Sequence, residues 1–216
     1  GSLQLEPGLD ALRFNALSNL LHQLDGARVQ LAAVLVQEER DRHAPVALAR
    51  DAPVGTAGDH AVQARLAPVR EELGGGDAKL LGVGGKHLAR AQEINTSIIG
   101  APTMAAHERY TGVVWDHLSP TTMSVKVRAR ATESIIVLSG LLGLVGFDDQ
   151  IPDYKLKMGA SFAPIGKLST WWREPLSKVL NARLARHHVI DLLPNEHRAA
   201  WTPTPNAYTS LSSVTF

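Results

Sequence analysis

The longest near-continuous apolar pattern in the chain falls near its middle. Ile135–Leu138 is an unbroken apolar run, long enough for a buried strand. Ser139-Gly140 interrupts it. Leu141–Gly146 is apolar again but carries Gly143 and Gly146, so the backbone there can turn tightly or approach another surface closely. Asp148, Asp149 and Pro152 follow, then Tyr154, Lys155, Lys157 and Met158, closed by Gly159. A buried strand that runs into a glycine-rich turn and then a charged, aromatic loop predicts side chains presented at the carboxyl edge of a sheet.

Other stretches take helical spacing. Leu9, Leu12, Leu17, Leu20, Leu21 and Leu24 predict an amphipathic helix that stops near Asp25-Gly26. Val29–Val36 fits either strand or helix, and the charged tail Gln37–Arg42 favours helix. His43–Asp59, with Pro45, Pro53, Gly55 and Gly58, reads as a linker or surface loop. Ala61–Leu73 predicts a helix kinked or restarted at Pro68 and ended by Gly74-Gly75-Gly76. His87–Ile94 predicts a helix, Asn95–Met104 a loop around Pro102, and Val125–Ala131 a basic helix leading into the central strand. Lys167–Arg186 carries the strongest stripe: Leu168, Trp171, Trp172, Leu176, Val179, Leu180 and Leu184, with Pro175 in an early turn. Trp171-Trp172 is read as core rather than as a stacking platform. His188–Leu193 is then a short buried strand. Strand, crossover helix and strand make a parallel βαβ unit. The expected fold is therefore α/β, with a central sheet flanked by helices. The expected division is an N-terminal helical segment and linker over 1–60 and an α/β unit over 61–216, forming one compact domain.

Composition narrows the functional classes. The chain has 216 residues, 44% apolar and 20% charged, which suits a globular protein with a sizeable core. A formal net charge of +1 gives no global attraction to nucleic acid, so any such binding needs a local basic patch. The sequence holds no cysteine, which excludes disulfides, thiolate catalysis and cysteine-ligated metals and fits a reducing cytosol. No apolar stretch approaches the roughly 20 residues of a membrane span. Gly1-Ser2 has the look of a cloning scar, and the apolar ending Leu211–Phe216 leads us to expect further sequence beyond it.

Two stretches carry candidate chemistry. Lys79–Lys86 is glycine-rich with a lysine at each end; it could cradle a phosphate on a helix N-terminus, but it lacks the spacing of a P-loop, and composition favours a plain turn before the next helix. Arg109 could clamp a carboxylate or phosphate, with an ion pair to Glu108 or Asp116 as the bland alternative. Tyr154 and Lys155 are the candidate proton carriers, with Arg109, Tyr110, Ser139 and Asp149 expected to line the same opening. Ser139 lacks the surroundings of a nucleophile elbow. Glu196 and His197, adjacent past the last strand, point apart on a helix and do not make a metal pair by themselves. No metal site and no cofactor are predicted.

Arg109-Tyr110-Thr111-Gly112-Val113, Leu138–Val145 and Ile151–Gly159 resemble, in order and spacing, segments of the YaaA family of bacterial proteins. Trp171-Trp172, Val189–Leu193 with Asn195-Glu196-His197, Asn95, and Pro68-Val69-Arg70 also resemble it, so the likeness spans about 66–201. The resemblance implies the mixed α/β fold of that family and a cytosolic role in protection against hydrogen peroxide, with DNA binding and restraint of iron-driven damage both ascribed to it. It carries Arg109, Tyr110, Tyr154 and Lys155 across as cleft-lining positions. Asn95, Ser139, Asp149 and Lys157 are further candidate binding positions. The family's opening strand and loop and its closing basic segment have no counterpart here. Three readings follow: a stress-protective protein that binds duplex DNA, drawing on Lys126, Arg128, Arg130, Lys155, Lys157 and Arg183–His188; an enzyme acting on a small anionic metabolite; and a non-catalytic partner-binding domain. No membrane partner is expected, and the pattern leaves the oligomeric state open.

Overall fold

A computed structural model describes Val29–Ala32, Leu73 and residues 75–213. The helices expected at 9–24 and 61–73, apart from Leu73, and the loop at 43–59 lie outside the described residues. Strand β1 is Val29–Ala32, so over these positions the stretch takes the extended form rather than the helix that its charged tail favours.

Helix α1 (Ala78–Leu81) starts where the Asp77 carboxylate accepts the Leu80 N–H at 2.7 Å, and stops at Gly82, whose φ of 69° suits a left-handed cap. Helix α2 is Gly85–Thr96, followed by β2 (Thr103–Ala105) and the short helices α3 (Ala106–Arg109) and α4 (Val113–Leu118). Helix α5 (Val125–Ser134) starts at Ser124, whose hydroxyl accepts the Val127 N–H, and delivers the chain into β3 (Ile136–Ser139). Strands β4 (Gly143–Gly146) and β5 (Gln150–Pro152) complete the central stretch. A small antiparallel pair, β6 (Ser161–Phe162) and β7 (Gly166–Lys167), leads into α6 (Leu168–Arg183). The chain then forms β8 (His188–Asp191), α7 (Asn195–Arg198) and β9 (Ser210–Ser213).

The expected parallel pairing of the central strand with His188–Leu193 is not made. β3 pairs antiparallel with β4, Val137 opposite Val145, because the turn at Gly140–Leu142 is short enough to fold the chain straight back. β8 instead sits between β1 and β9, parallel to both. The parallel βαβ unit of this α/β fold is thus β8–α7–β9, and α6 joins a hairpin to that sheet. β1 also lies against β3 and α5, which brings the central hairpin to the sheet's flank.

The core forms around that hairpin. Ile136–Leu138, Leu141, Leu142, Leu144 and Val145 are buried, as are Leu168, Trp172, Leu176, Leu180 and Leu184 at four-residue steps along α6 and just past its end. Pro175 is the eighth residue of α6, not an early one. It cannot donate to the carbonyl four residues back, and it is buried. Trp172 is fully buried and Trp171 partly so, which confirms the pair as core rather than platform.

One contact fixes the loop after β5. A Cβ on Gly140 would lie 2.8 Å from the Leu156 carbonyl oxygen and 3.1 Å from the Met158 nitrogen. The hairpin turn and the 156–158 backbone therefore touch directly. The Gly140 carbonyl accepts the Trp172 indole N–H at 2.8 Å, tying α6 to the same point. Gly140→Ala is expected to lower stability by about 1–3 kcal/mol, since neither backbone can retreat freely; a urea midpoint equal to wild type would show that the contact is slack.

Candidate functional site

The loop that Gly140 admits carries Tyr154 against the hairpin. The Tyr154 hydroxyl lies 2.6 Å from Ser139 Oγ and 2.9 Å from the Tyr110 hydroxyl. Ser139 Oγ also accepts the Leu142 N–H at 2.9 Å, so the serine that interrupts the apolar run is the hinge of its turn. All three hydroxyl-bearing residues are buried. Burial, above all, raises the pKa of both phenols, Tyr110 well above its ordinary value. For Tyr154, hydrogen bonds from Ser139 and Tyr110 and the Arg109 charge partly oppose the rise.

Arg109 comes from α3, whose placement is set by backbone contacts. The N–H groups of Ala106 and His107 donate to the Asp149 and Phe147 carbonyls, at 2.9 and 3.0 Å, so α3 rests on the turn between β4 and β5. The Arg109 Nε then donates to the Ile151 carbonyl at 3.1 Å, and Nη1 lies 3.7 Å from Asp153 Oδ1. Arg109 thus pairs with Asp153, rather than with the Glu108 or Asp116 of the bland alternative.

The remaining sequence candidates serve elsewhere. Asn95, buried in the last turn of α2, accepts the Lys155 N–H at 2.8 Å and donates to the Lys155 carbonyl at 2.9 Å and the Gly75 carbonyl at 3.1 Å. It clamps the loop backbone beside Tyr154. Lys155 is itself buried. Asp149 lies outside the hydroxyl cluster: its carboxylate accepts the Gly146 N–H at 2.8 Å and closes the β4–β5 turn. Lys157 is exposed and runs to α1, where its Nζ would stand 2.5 Å from a Cβ on Gly82.

A second polar cluster was not singled out in the sequence. His107, buried and stacked on Phe147 at 4.6 Å, has Arg128 Nη2 at 2.8 Å from its Nε2. A guanidinium only donates, so Nε2 accepts and Nδ1 carries the proton, facing the Phe147 carbonyl and Asp148 Oδ1, each at 3.1 Å. Asp148 also takes Arg128 at 3.1 Å and the Thr132 hydroxyl. Arg128 is therefore engaged within the fold, with its side chain 42% exposed. A basic residue one turn from Thr132 on a helix signals nothing by itself; only the fold brings Asp148 to it.

His197 is buried in α7, and its Nδ1 has no hydrogen-bond partner among the described residues. Burial pulls its pKa from 6.5 to about 4. Among the described residues no group of three or more histidines and carboxylates is placed to hold a metal ion.

Tyr154→Phe removes the hydroxyl that both neighbours share, whereas Tyr110→Phe removes one end of the chain. The first is expected to cost about 1–3 kcal/mol and the second less; equal midpoints for the two would deny Tyr154 its central place. His197 sets a pH dependence. Its folded pKa lies below the unfolded one, so the unfolded state takes the proton first and stability falls as pH drops from about 6.5 towards 4. Between pH 7 and 4.5 this group alone should remove about 2.5 kcal/mol, and His197→Leu should flatten that part of the curve in urea titrations.

Comparison with known proteins places these residues. The family model described as "Peroxide stress protein YaaA" matches residues 77–216. A UPF0246 protein of Streptomyces coelicolor is 37% identical over 109 residues, covering 50% of this chain and 42% of the relative. An uncharacterized protein of Campylobacter jejuni is 31% identical over 109 residues, 50% of this chain and 44% of the relative. A UPF0246 protein of Corynebacterium glutamicum is 34% identical over 106 residues, 47% and 41%. The chain spans less than half the length of these relatives. The family match takes in the central hairpin, the loop that carries Tyr154, and the sheet strands β8 and β9, and on it the chain belongs to the peroxide stress protein YaaA family.

Proposed function

We propose that this protein acts in the cytoplasm in protection against hydrogen peroxide, and that it does so by binding the phosphate backbone of duplex DNA and limiting iron-driven damage there. Family membership supports the stress role. The observation that carries the DNA reading is the start of α2. Its cap, Gly84, makes no side-chain hydrogen bond, and a Cβ on Gly84 or Gly85 would meet nothing within 4 Å. A 12-residue helix thus presents open N–H groups and the positive end of its dipole. Exposed Lys79 and Lys86 flank the turn, and Lys157 reaches it from the central loop across Gly82. The sequence favoured a plain turn here; the turn is present, and its open surface and the third lysine support the phosphate reading as well. Such contacts carry no base code and position a duplex without selecting its sequence.

A gel-shift titration with duplex DNA over a salt series tests this. Affinity should fall steeply with salt, and Lys157→Met should reduce the log–log slope by about one. Absent or salt-insensitive binding would remove the DNA reading.

A second reading has its own observation. The buried hydroxyls of Ser139, Tyr154 and Tyr110 beside the Arg109 charge favour a small-molecule enzyme in which Tyr154 or Lys155 moves a proton while Arg109 holds an anion.

A further inference from the structure

We propose that Arg90 and Arg109 form a seat for the oxyanion of a small molecule, a carboxylate or a phosphate, and that Asp153 occupies that seat until the ligand arrives. This deepens the small-molecule reading by naming its ligand class and adding two residues to it.

The geometry is specific. Arg90 reaches Asp153 Oδ2 from the middle of α2, its Nη2 donating at 3.0 Å. Arg109 approaches the other carboxylate oxygen from the end of α3, but its Nη1 stops at 3.7 Å, too far for a hydrogen bond. The Nε–H bond to the Ile151 carbonyl fixes the guanidinium plane. Among the described residues, the terminal edge of Arg109 makes no hydrogen bond. That edge has the two-donor geometry that matches a carboxylate or phosphate in bidentate fashion.

Charge points the same way. Among the described residues, two guanidiniums face the one Asp153 carboxylate, which leaves one positive charge uncompensated there. Arg109 is largely buried, its side chain 17% exposed, whereas Arg90 and Asp153 are 48% and 36% exposed. Asp153 can therefore swing towards water while Arg109 cannot. Desolvation is the largest influence on Arg109 and outweighs the attraction of Asp153, with Arg90 adding repulsion. An external anion that takes the edge of Arg109 as Asp153 swings out would hydrogen-bond the guanidinium where Asp153 does not. The burial of Arg109 favours a small molecule over the backbone of a stiff duplex, which contacts exposed groups first. Tyr110 follows Arg109 and Tyr154 follows Asp153 in the chain, so their backbone amides can report on a ligand held here.

The test follows the 15Nε resonance of Arg109 while sodium phosphate, and separately sodium acetate, replaces sodium chloride at constant ionic strength. We expect a saturable shift with at least one of them; the anion that saturates identifies the ligand class. Asp153→Asn, which removes the internal competitor, should lower the apparent Kd at least threefold. Arg109→Lys, which keeps the charge but loses the planar edge, should raise it at least tenfold, read from the amide shifts of Tyr110 and Tyr154. Shifts that never saturate, or weaker binding in Asp153→Asn, would overturn the seat. Lys157→Met should leave the phosphate titration unchanged, so failure of the DNA reading and failure of the seat are separable. Saturable binding without turnover would remove catalysis and keep the seat.

Discussion

The direct contact between two stretches of backbone at Gly140 is the constraint on which the site depends. No side chain stands between the hairpin turn and residues 156–158. The Trp172 indole donates to the Gly140 carbonyl and so joins the long helix to the same point. Tyr154, two residues before the contact, then has one place to put its ring: under Ser139 and against Tyr110. Asn95 closes the other side by holding both backbone groups of Lys155. A loop with charged and aromatic residues is thereby held like a core element, with the Tyr154 hydroxyl and the Lys155 backbone paired within the fold.

The central stretch could be read directly from the sequence. Its apolar run, its glycines and Ser139 occupy the positions in a buried hairpin that their chemistry suits. The α6 stripe was equally legible, since its leucines and Trp172 repeat at helical spacing and all face the core. Strand partners were not legible. A run such as Ile135–Leu138 carries no mark that distinguishes a parallel from an antiparallel neighbour, and the choice was settled by a tight turn that returns the chain at once. β8 found its neighbours in β1 and β9 instead, one far upstream and one beyond a proline-rich coil.

The candidate residues divided along physical lines. Arg109, Tyr110, Ser139 and Tyr154 converge because α3 and the loop after β5 both rest on the β4–β5 turn and the hairpin. Asp149 looked like site chemistry but closes a turn, as an aspartate three residues after a glycine can. Arg128 is held by Asp148 and His107, pairings across about 20 residues that have no local pattern. Asp153 and Arg90 were invisible as partners for the same reason, being 63 positions apart. Lys157 joined the other glycine-rich stretch, a link between two motifs that the sequence shows only separately.

Amide hydrogen exchange tests most directly whether this loop is built into the core. The Lys155 N–H is held by Asn95 and the Leu142 N–H by Ser139, both buried. If the backbone contact at Gly140 locks the loop, both amides should exchange only through global unfolding, with the same free energy and denaturant dependence as the amides of β3. Exchange of Lys155 at the rate of an exposed loop, while β3 stays protected, would show that the loop opens on its own and that Tyr154 is not held in place by the hairpin.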